Sequence, residues 1–310
     1  QATESHELVA SRTSELERIH TTSITLHQLK AFVHAKSELD AYIKSPDDKD
    51  TRNLSSAAKT VSELEKLLLN PSLVEVKLVG ACAEEIKAFG QGVRLKAQEK
   101  LLTAIAEKNQ AAIANSLQVF YNLDSLAEIL LLVIDVTVKS TVERSRTALD
   151  VESVQSLLQP DGHHGSAAAP GAGATSTQVR TALREVAHVW SSIIHEMALQ
   201  VHALQRVVAK KEDPTTHEKF LSVLQRLRVS QSHNHGSTAA TTALLLSRGQ
   251  LLDLFWHRLC EALQDVATEK VKHHAQASTR AYPFIRRAAL DVLANLRNWT
   301  EHSSSLSQGV

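Results

Sequence analysis

From residue 3 to residue 45 the chain contains neither glycine nor proline, and Ile19, Leu26 and Val33 recur at seven-residue intervals beside Leu8, Leu16, Leu29 and Ile43. A run of that length without a backbone breaker, carrying apolar residues at helical spacing, predicts one long helix. Pro46 and the acidic DDKD that follows end it. Thr22, Lys36 and Asp40 stand at heptad positions that a uniform two-stranded coiled coil would fill with apolar side chains. The pattern therefore fits a helix that leaves a coiled coil and enters a bundle. Leu26, Leu29 and Val33 are the candidates for a partner-binding stripe, although packing inside the bundle would explain the same spacing.

The rest of the chain reads as helices too. TRNLSSAAKTVSELEKLLLNP predicts a second helix with Asn53 or Ser55 as N-cap, Pro71 beyond its end, and Val61, Leu64, Leu67 and Leu68 on one face. Gly80, Gly90 and Gly92 each weaken a helix by about 1 kcal/mol relative to alanine, so the next firm helix is expected only from about 83 to 108. A short helix follows, with a turn at Asn122 to Asp124. Then comes a long helix capped by Asp124 or Ser125, whose LLLVI implies burial on nearly all sides. Residues 159–177, QPDGHHGSAAAPGAGATST, have lost every large apolar side chain and read as a flexible linker or loop.

Beyond the linker, Val186, Val189, Ile193, Met197, Leu204 and Val207 or Val208 form the buried stripe of another long helix. Lys210, Lys211, Asp213 and Pro214 then make a joint. The lysines favour the negative end of one helix, Asp213 caps the next, and Pro214 opens it. After the polar QSHNHGSTAATT, residues Leu251, Leu252, Phe255, Leu259, Leu263 and Val266 recur at helical spacing, and Pro283 begins a last helix with Ile285, Leu290, Leu293, Leu296 and Trp299. Aromatic residues make up only 4% and glycines number 10, which suits cores of Leu, Ala, Val and Ile on helices. The class is all-α: an elongated rod of stacked antiparallel helical bundles, preceded by a long coiled-coil-like helix. The expected organisation is a helix over 1–46, a first bundle over 47–158, the linker, and a second bundle over 178–310.

No catalytic, cofactor-binding or metal-binding residues are expected. Lysine plus arginine balances aspartate plus glutamate at 34 each, so no net field gathers a nucleic acid. The sixteen histidines include His163 with His164, His233 with His235 and His273 with His274, but neighbours on a helix point about 100° apart and no cysteine or carboxylate stands at ligand spacing. FGQGVRLK lacks the strand and the full motif of a phosphate loop, and no nucleophile elbow is present. Cys82 and Cys260 read as reduced, buried thiols of a cytosolic protein. The longest apolar run, 126–138, is too short for a bilayer and carries Glu128 and Asp135. The chain opens on Gln1 and its one methionine is Met197, so an N-terminal portion is expected to have been removed.

Four segments, taken together, resemble the family of subunit five of the conserved oligomeric Golgi complex. SLQVFYNLDSLAEIL at 116–130 is similar to that family's LQVFYNL segment, and LDVESVQSLLQP at 149–160 to the segment ending in Gln-Pro before a low-complexity loop. LQRVVAKKEDPTTH at 204–217 resembles the family's LQKVLAKKRDPVSH, and AYPFIRRAALDVLANL at 281–296 its tyrosine-proline helix. The chain departs from that pattern in the loops at 161–174 and 231–243 and at Glu212. The resemblance implies a non-enzymatic subunit of a vesicle tether, without a cofactor, peripheral on the cytosolic face of Golgi membranes and acting in retrograde traffic within the Golgi. It implies partners in the same complex, foremost subunit seven, with subunits six and eight, and SNAREs and Rab GTPases more widely. Two other readings stay open: a helical scaffold of another tether such as the exocyst, and a bundle that binds anionic lipid through the cations from Arg280 to Arg287.

Overall fold

The computed structural model describes residues 2–44, 51–74, 76–148, 176–231 and 237–273, together with Arg286, Arg287, Leu290 and Ala294. Every element is a helix, and there is no β-strand among the described residues. The uninterrupted opening run forms α1 (Ala2–Lys44), followed by α2 (Thr51–Leu68), the single turn α3 (Pro71–Val74), α4 (Lys77–Ala106), α5 (Gln110–Asn122) and α6 (Leu126–Ala148). After residues outside the description come α7 (Ser176–Lys210), α8 (Phe220–Gln231), α9 (Ser237–Ser247) and α10 (Leu251–His273). The helices gather into two units, one of residues 1–129 with 211–217 and one of 130–210 with 218–310. The division falls inside α6, and the expected linker at 159–177 lies outside the described residues up to 175.

In the first unit α2 is the hub, packing against α1, α4 and α5. Phe32 and Leu39 of α1, Val61 and Leu64 of α2, Ile86 and Leu101 of α4, and Ile113 and Leu117 of α5 are almost wholly buried. Each contributes about 1.5–3 kcal/mol by leaving water. Two helix starts differ from the sequence reading. Thr51 already lies in α2, so Asn53 and Ser55 stand inside the helix; Ser55 caps nothing and instead accepts hydrogen bonds from Asn122 at its carbonyl (2.8 Å) and its Oγ (3.0 Å). α4 starts at Lys77 and runs unbroken through Gly80, Gly90 and Gly92. Gly90 is buried, and a β-carbon there would lie 3.0 Å from Val61 Cγ1. Close approach of α4 to α2 recovers in packing what the glycine costs in propensity. Arg94 braces the same contact, its Nη2 3.1 Å from both carboxylate oxygens of Glu65.

Three helix ends share one geometry. At Gly249 (φ 67°), Lys108 (φ 56°) and Asp124 (φ 53°) the chain turns left-handed. The amides of Gly249 and Gln250 donate to Leu246 and Leu245, those of Lys108 and Asn109 to Ile105 and Ala104, and those of Asp124 and Ser125 to Tyr121 and Phe120. This paired bonding is the Schellman end, which favours glycine because it has no β-carbon. Only one of the three positions has glycine.

In the second unit α10 packs on α7, while α8 and α9 pack together and against α7 and α10 respectively. Ile193, Met197, Leu204, Val207 and Val208 of α7 are buried, as are Phe220, Leu251, Phe255 and Leu259. Val189, expected in the stripe of α7, is instead exposed, and Val186 falls among side chains outside the description. α6 buries Leu130, Val133 and Ile134 but exposes Leu132 and Val136, so its apolar run is a face and not a fully enclosed element. Further along that face Thr137 and Thr141 bond back to carbonyls one turn earlier, and Ser145 accepts from Trp190 Nε1 at 3.2 Å. Arg144 pairs with Glu196 and Arg258 with Asp135.

α8 begins at Phe220, six residues after Pro214, and α9 occupies part of the stretch read as polar and loop-like. Alanine and threonine there extend a helix whose leucines follow. Cys260 is exposed and Cys82 half-buried, which corrects the expectation of two buried thiols. Of the last expected helix, Arg286, Arg287, Leu290 and Ala294 are helical and exposed; Ile285, Leu293, Leu296 and Trp299 lie outside the described residues.

Candidate interaction surface

α1 has two halves. His6 and residues 9–24 are all exposed, while Phe32, Ala35 and Leu39 are buried against the bundle. Because successive residues on a helix turn by about 100°, the heptad seam and the bundle face point in different directions. Leu26 is 65% and Val33 49% exposed, continuing the exposed Val9, Leu16 and Ile19 on one stripe. Leu29 lies between the two faces and is half-buried.

Where α1 meets the bundle, a groove of about 670 Å³ opens between α1 and α4. Phe32 lies at its buried side, and Val33 and Ile43 from α1 and Leu78 from α4 present apolar surface, the last two 46% and 56% exposed. Lys36 crosses it, its Nζ 2.6 Å from Asp40 and 3.0 Å from Glu85. Burial alone would lower the Lys36 pKa, but the hydrogen bonds and charges of the two carboxylates outweigh it and hold the ammonium above its ordinary value. Cys82 also lines the groove. Of these residues the sequence pattern singled out Val33 and Ile43 as helical apolar positions. Leu78 went unremarked because it stands before residue 83, where the firm helix was expected to begin, and Glu85 because a carboxylate on a helix gives no periodic signal.

The predicted joint is built around a carboxylate. Lys210 is the last residue of α7, and Lys211 begins the segment 211–217 that belongs to the first unit. Asp213, only 3% exposed, accepts from the amides of Thr215 (3.1 Å) and Thr216 (2.7 Å), from Thr216 Oγ1 (2.8 Å) and from Gln118 Nε2 of α5 (2.7 Å). Burial by itself would raise this carboxyl's pKa; the four donors outweigh it and hold the group below its ordinary value. Pro214 is exposed and sits in the turn that Asp213 closes, not in the first turn of a helix. Thr216 also meets the hydroxyl of Tyr121 at 3.1 Å. Among the described residues no group of three or more His, Cys, Asp or Glu could hold a metal ion, and no helix is long and apolar enough to cross a membrane.

The family model for the C-terminal part of conserved oligomeric Golgi complex subunit 5 matches residues 73–293. The chain belongs to that family. As a member of the conserved oligomeric Golgi complex subunit 5 family it is 24% identical over 314 residues to the mouse protein of that name, covering 99% of this chain and 34% of the mouse one. It is 25% identical over 218 residues to the Arabidopsis thaliana protein, covering 69% of this chain and 26% of that one. It therefore spans about a third of the length of the mouse relative and a quarter of the plant one. A chain in the crystal structure of the Cog5-Cog7 complex from Kluyveromyces lactis matches with a TM-score of 0.55 at 15% identity, over 92% of this chain and 88% of that one. That likeness establishes the helical fold. The family-model match begins at Leu73, so it includes Leu78, Cys82, Glu85 and the 210–214 segment and leaves out α1 with Leu26, Leu29 and Val33, which the mouse alignment over 99% of the chain takes in.

Proposed function

We propose that this chain is a non-enzymatic subunit of a Golgi vesicle-tethering complex, peripheral on the cytosolic face of the membrane, and that it acts in retrograde transport within the Golgi. Its work is binding. Helix faces left bare by its own bundle pack on helices of other subunits, and the assembled complex holds a vesicle near its target. Family membership supports the compartment and the complex. The observation that carries the binding mode is the stripe of α1, where Leu26 and Val33 stay exposed although the same helix buries Phe32 and Leu39. An apolar stripe of that length on a soluble surface marks a contact.

Subunit seven is the foremost partner in this reading, since the relative of similar fold comes from a Cog5-Cog7 complex. Subunits six and eight complete the set, and SNAREs and Rab GTPases are met through the whole assembly. The test is co-purification of the chain with each of subunits six, seven and eight, comparing the wild type with a Leu26→Asp, Val33→Asp variant. Binding to at least one subunit, lost in the variant with helicity unchanged, is the expected result. A folded chain that binds none of them would sink the assembly role, and undiminished binding by the variant would remove α1 from it.

A further inference from the structure

The groove between α1 and α4 displays large apolar side chains on a concave surface, and its charges say what kind of molecule would cover them. The charged residues lining it are Lys36, Asp40 and Glu85, one cation against two carboxylates, for a net charge of −1. Lys36 is largely enclosed between its two partners, while both carboxylates remain about half exposed. A carboxylate accepts about four hydrogen bonds, so each has room for a second donor. We propose that the groove receives an amphipathic helix from a partner subunit, with an apolar stripe flanked by one arginine or lysine. The stripe would cover Val33, Ile43 and Leu78, and the cation would supply the missing positive charge at Asp40 or Glu85. Arginine fits best, because its planar fork can engage a carboxylate with two hydrogen bonds. The inference rests on the reading of the chain as a tether subunit that binds helices. It carries the α1 stripe past Val33 onto Ile43 and, across the groove, Leu78 of α4, and specifies the chemistry of what lies there.

The chain's two cysteines provide the assay, for Cys82 lines the groove and Cys260 is exposed in the other unit. Alkylation by N-ethylmaleimide, followed at each cysteine by mass spectrometry, reports occupancy of the groove with an internal control. One probe is a synthetic helical peptide of about 18 residues, five turns, with leucines at i, i+3, i+4 and i+7 and a single arginine beside them. The other is the same peptide with glutamate for arginine. At about ten times its Kd the arginine peptide should slow Cys82 alkylation about tenfold and leave Cys260 unchanged, whereas the glutamate peptide at that concentration should slow it less than about twofold. Leu78→Asp, a change at an exposed position, should abolish the protection. Equal protection by both peptides, or by neither, would overturn the proposal. So would a Cys82 rate that falls as the chain itself is concentrated, which would put a second copy in the groove.

A second arm uses the chain assembled with subunits six, seven and eight, where Cys82 should be protected and Cys260 free to react. Assembly with Cys82 alkylated at the free-chain rate would defeat the groove proposal and leave the tether reading standing. Failure to assemble would defeat the tether reading, and the peptides would still decide whether the groove selects a cationic amphipathic helix.

Discussion

The carboxylate of Asp213 accepts a 2.7 Å hydrogen bond from the side-chain amide of Gln118, a residue 95 positions earlier. With the amides of Thr215 and Thr216 and the Thr216 hydroxyl, that bond makes Asp213 the anchor of the 211–217 segment on α5. Replacing Asp213 by alanine strands the buried side-chain amide of Gln118 and takes the acceptor from the part-buried donors of Thr215 and Thr216, and a buried donor left unpaired costs about 1–3 kcal/mol. The expected loss, read from urea denaturation of the purified chain, is about 3 kcal/mol. A loss below about 0.5 kcal/mol, the size of an ordinary surface change, would show that the anchor does not hold.

The same carboxylate should give stability a pH dependence of known sign. Its folded pKa lies below the ordinary value, so its contribution is fully present above the unfolded pKa of about 4. That contribution is lost as pH falls from there through the folded value. Urea midpoints measured across that window should decline more steeply for the wild type than for Asp213→Asn, which cannot titrate. Parallel declines would locate the acid sensitivity elsewhere.

Two glycines two residues apart in α4, and so on nearly opposite faces, should respond to alanine with opposite signs. At Gly92 a β-carbon meets nothing within 4 Å, so Gly92→Ala should stabilise by about 1 kcal/mol through helix propensity. At Gly90 the same gain is set against contacts of 3.0 Å with the buried Val61 and 3.2 Å with Glu65, and overpacking costs about 1–3 kcal/mol. Gly90→Ala should therefore be net destabilising, and a compensating Val61→Ala should reduce the effect of the added methyl in a double-mutant cycle. Thermal melts of the four variants check both signs.

The left-handed helix ends allow a similar comparison. Lys108→Gly should stabilise by about 0.5–1 kcal/mol, since a β-carbon in that conformation costs about 1–2 kcal/mol and glycine returns part of it as unfolded-state entropy. Gly249→Ala should destabilise by at least about 1 kcal/mol, because its β-carbon would also lie 2.8 Å from Leu221 Cδ1. Denaturant midpoints of the two variants moving in the same direction would contradict the assignment.

Adjacent residues on α1 should differ most sharply of all. Phe32→Ala removes a wholly buried ring and should cost about 3–5 kcal/mol, whereas Val33→Ala, at the exposed seam, should stay within about 0.5 kcal/mol. Circular dichroism melts separate these outcomes. Comparable losses would mean that the seam is packed.

What could be read from the chain alone followed from periodicity. The absence of breakers through residue 45 implies α1, and the Ile193, Met197 and Leu204 stripe implies the buried face of α7. What could not be read depends on neighbours. Gly90 reads only as a weak point in the expected helix until Val61 is seen across from it, and Lys108 and Asp124 end helices where glycine would be expected. Pro214 suits a helix start by residue type, but the bonds of Asp213 commit it to a turn. Leu26 and Val33 stand out on the α1 pattern, yet the groove beside Val33 needs Leu78 and Glu85, which only tertiary packing brings to it.

The first unit is discontinuous in sequence, because 211–217 belongs to it although α7 lies in between. A ribosome adding about 5–20 residues per second therefore delivers Asp213 about 5–20 s after Gln118, which precedes it by 95 residues. Until then α5 can form, but the amide of Gln118 lacks its acceptor. The bundle that is translated first is thus finished only after α7 of the other unit has been made, and a chain terminated at the end of α7 would never finish it.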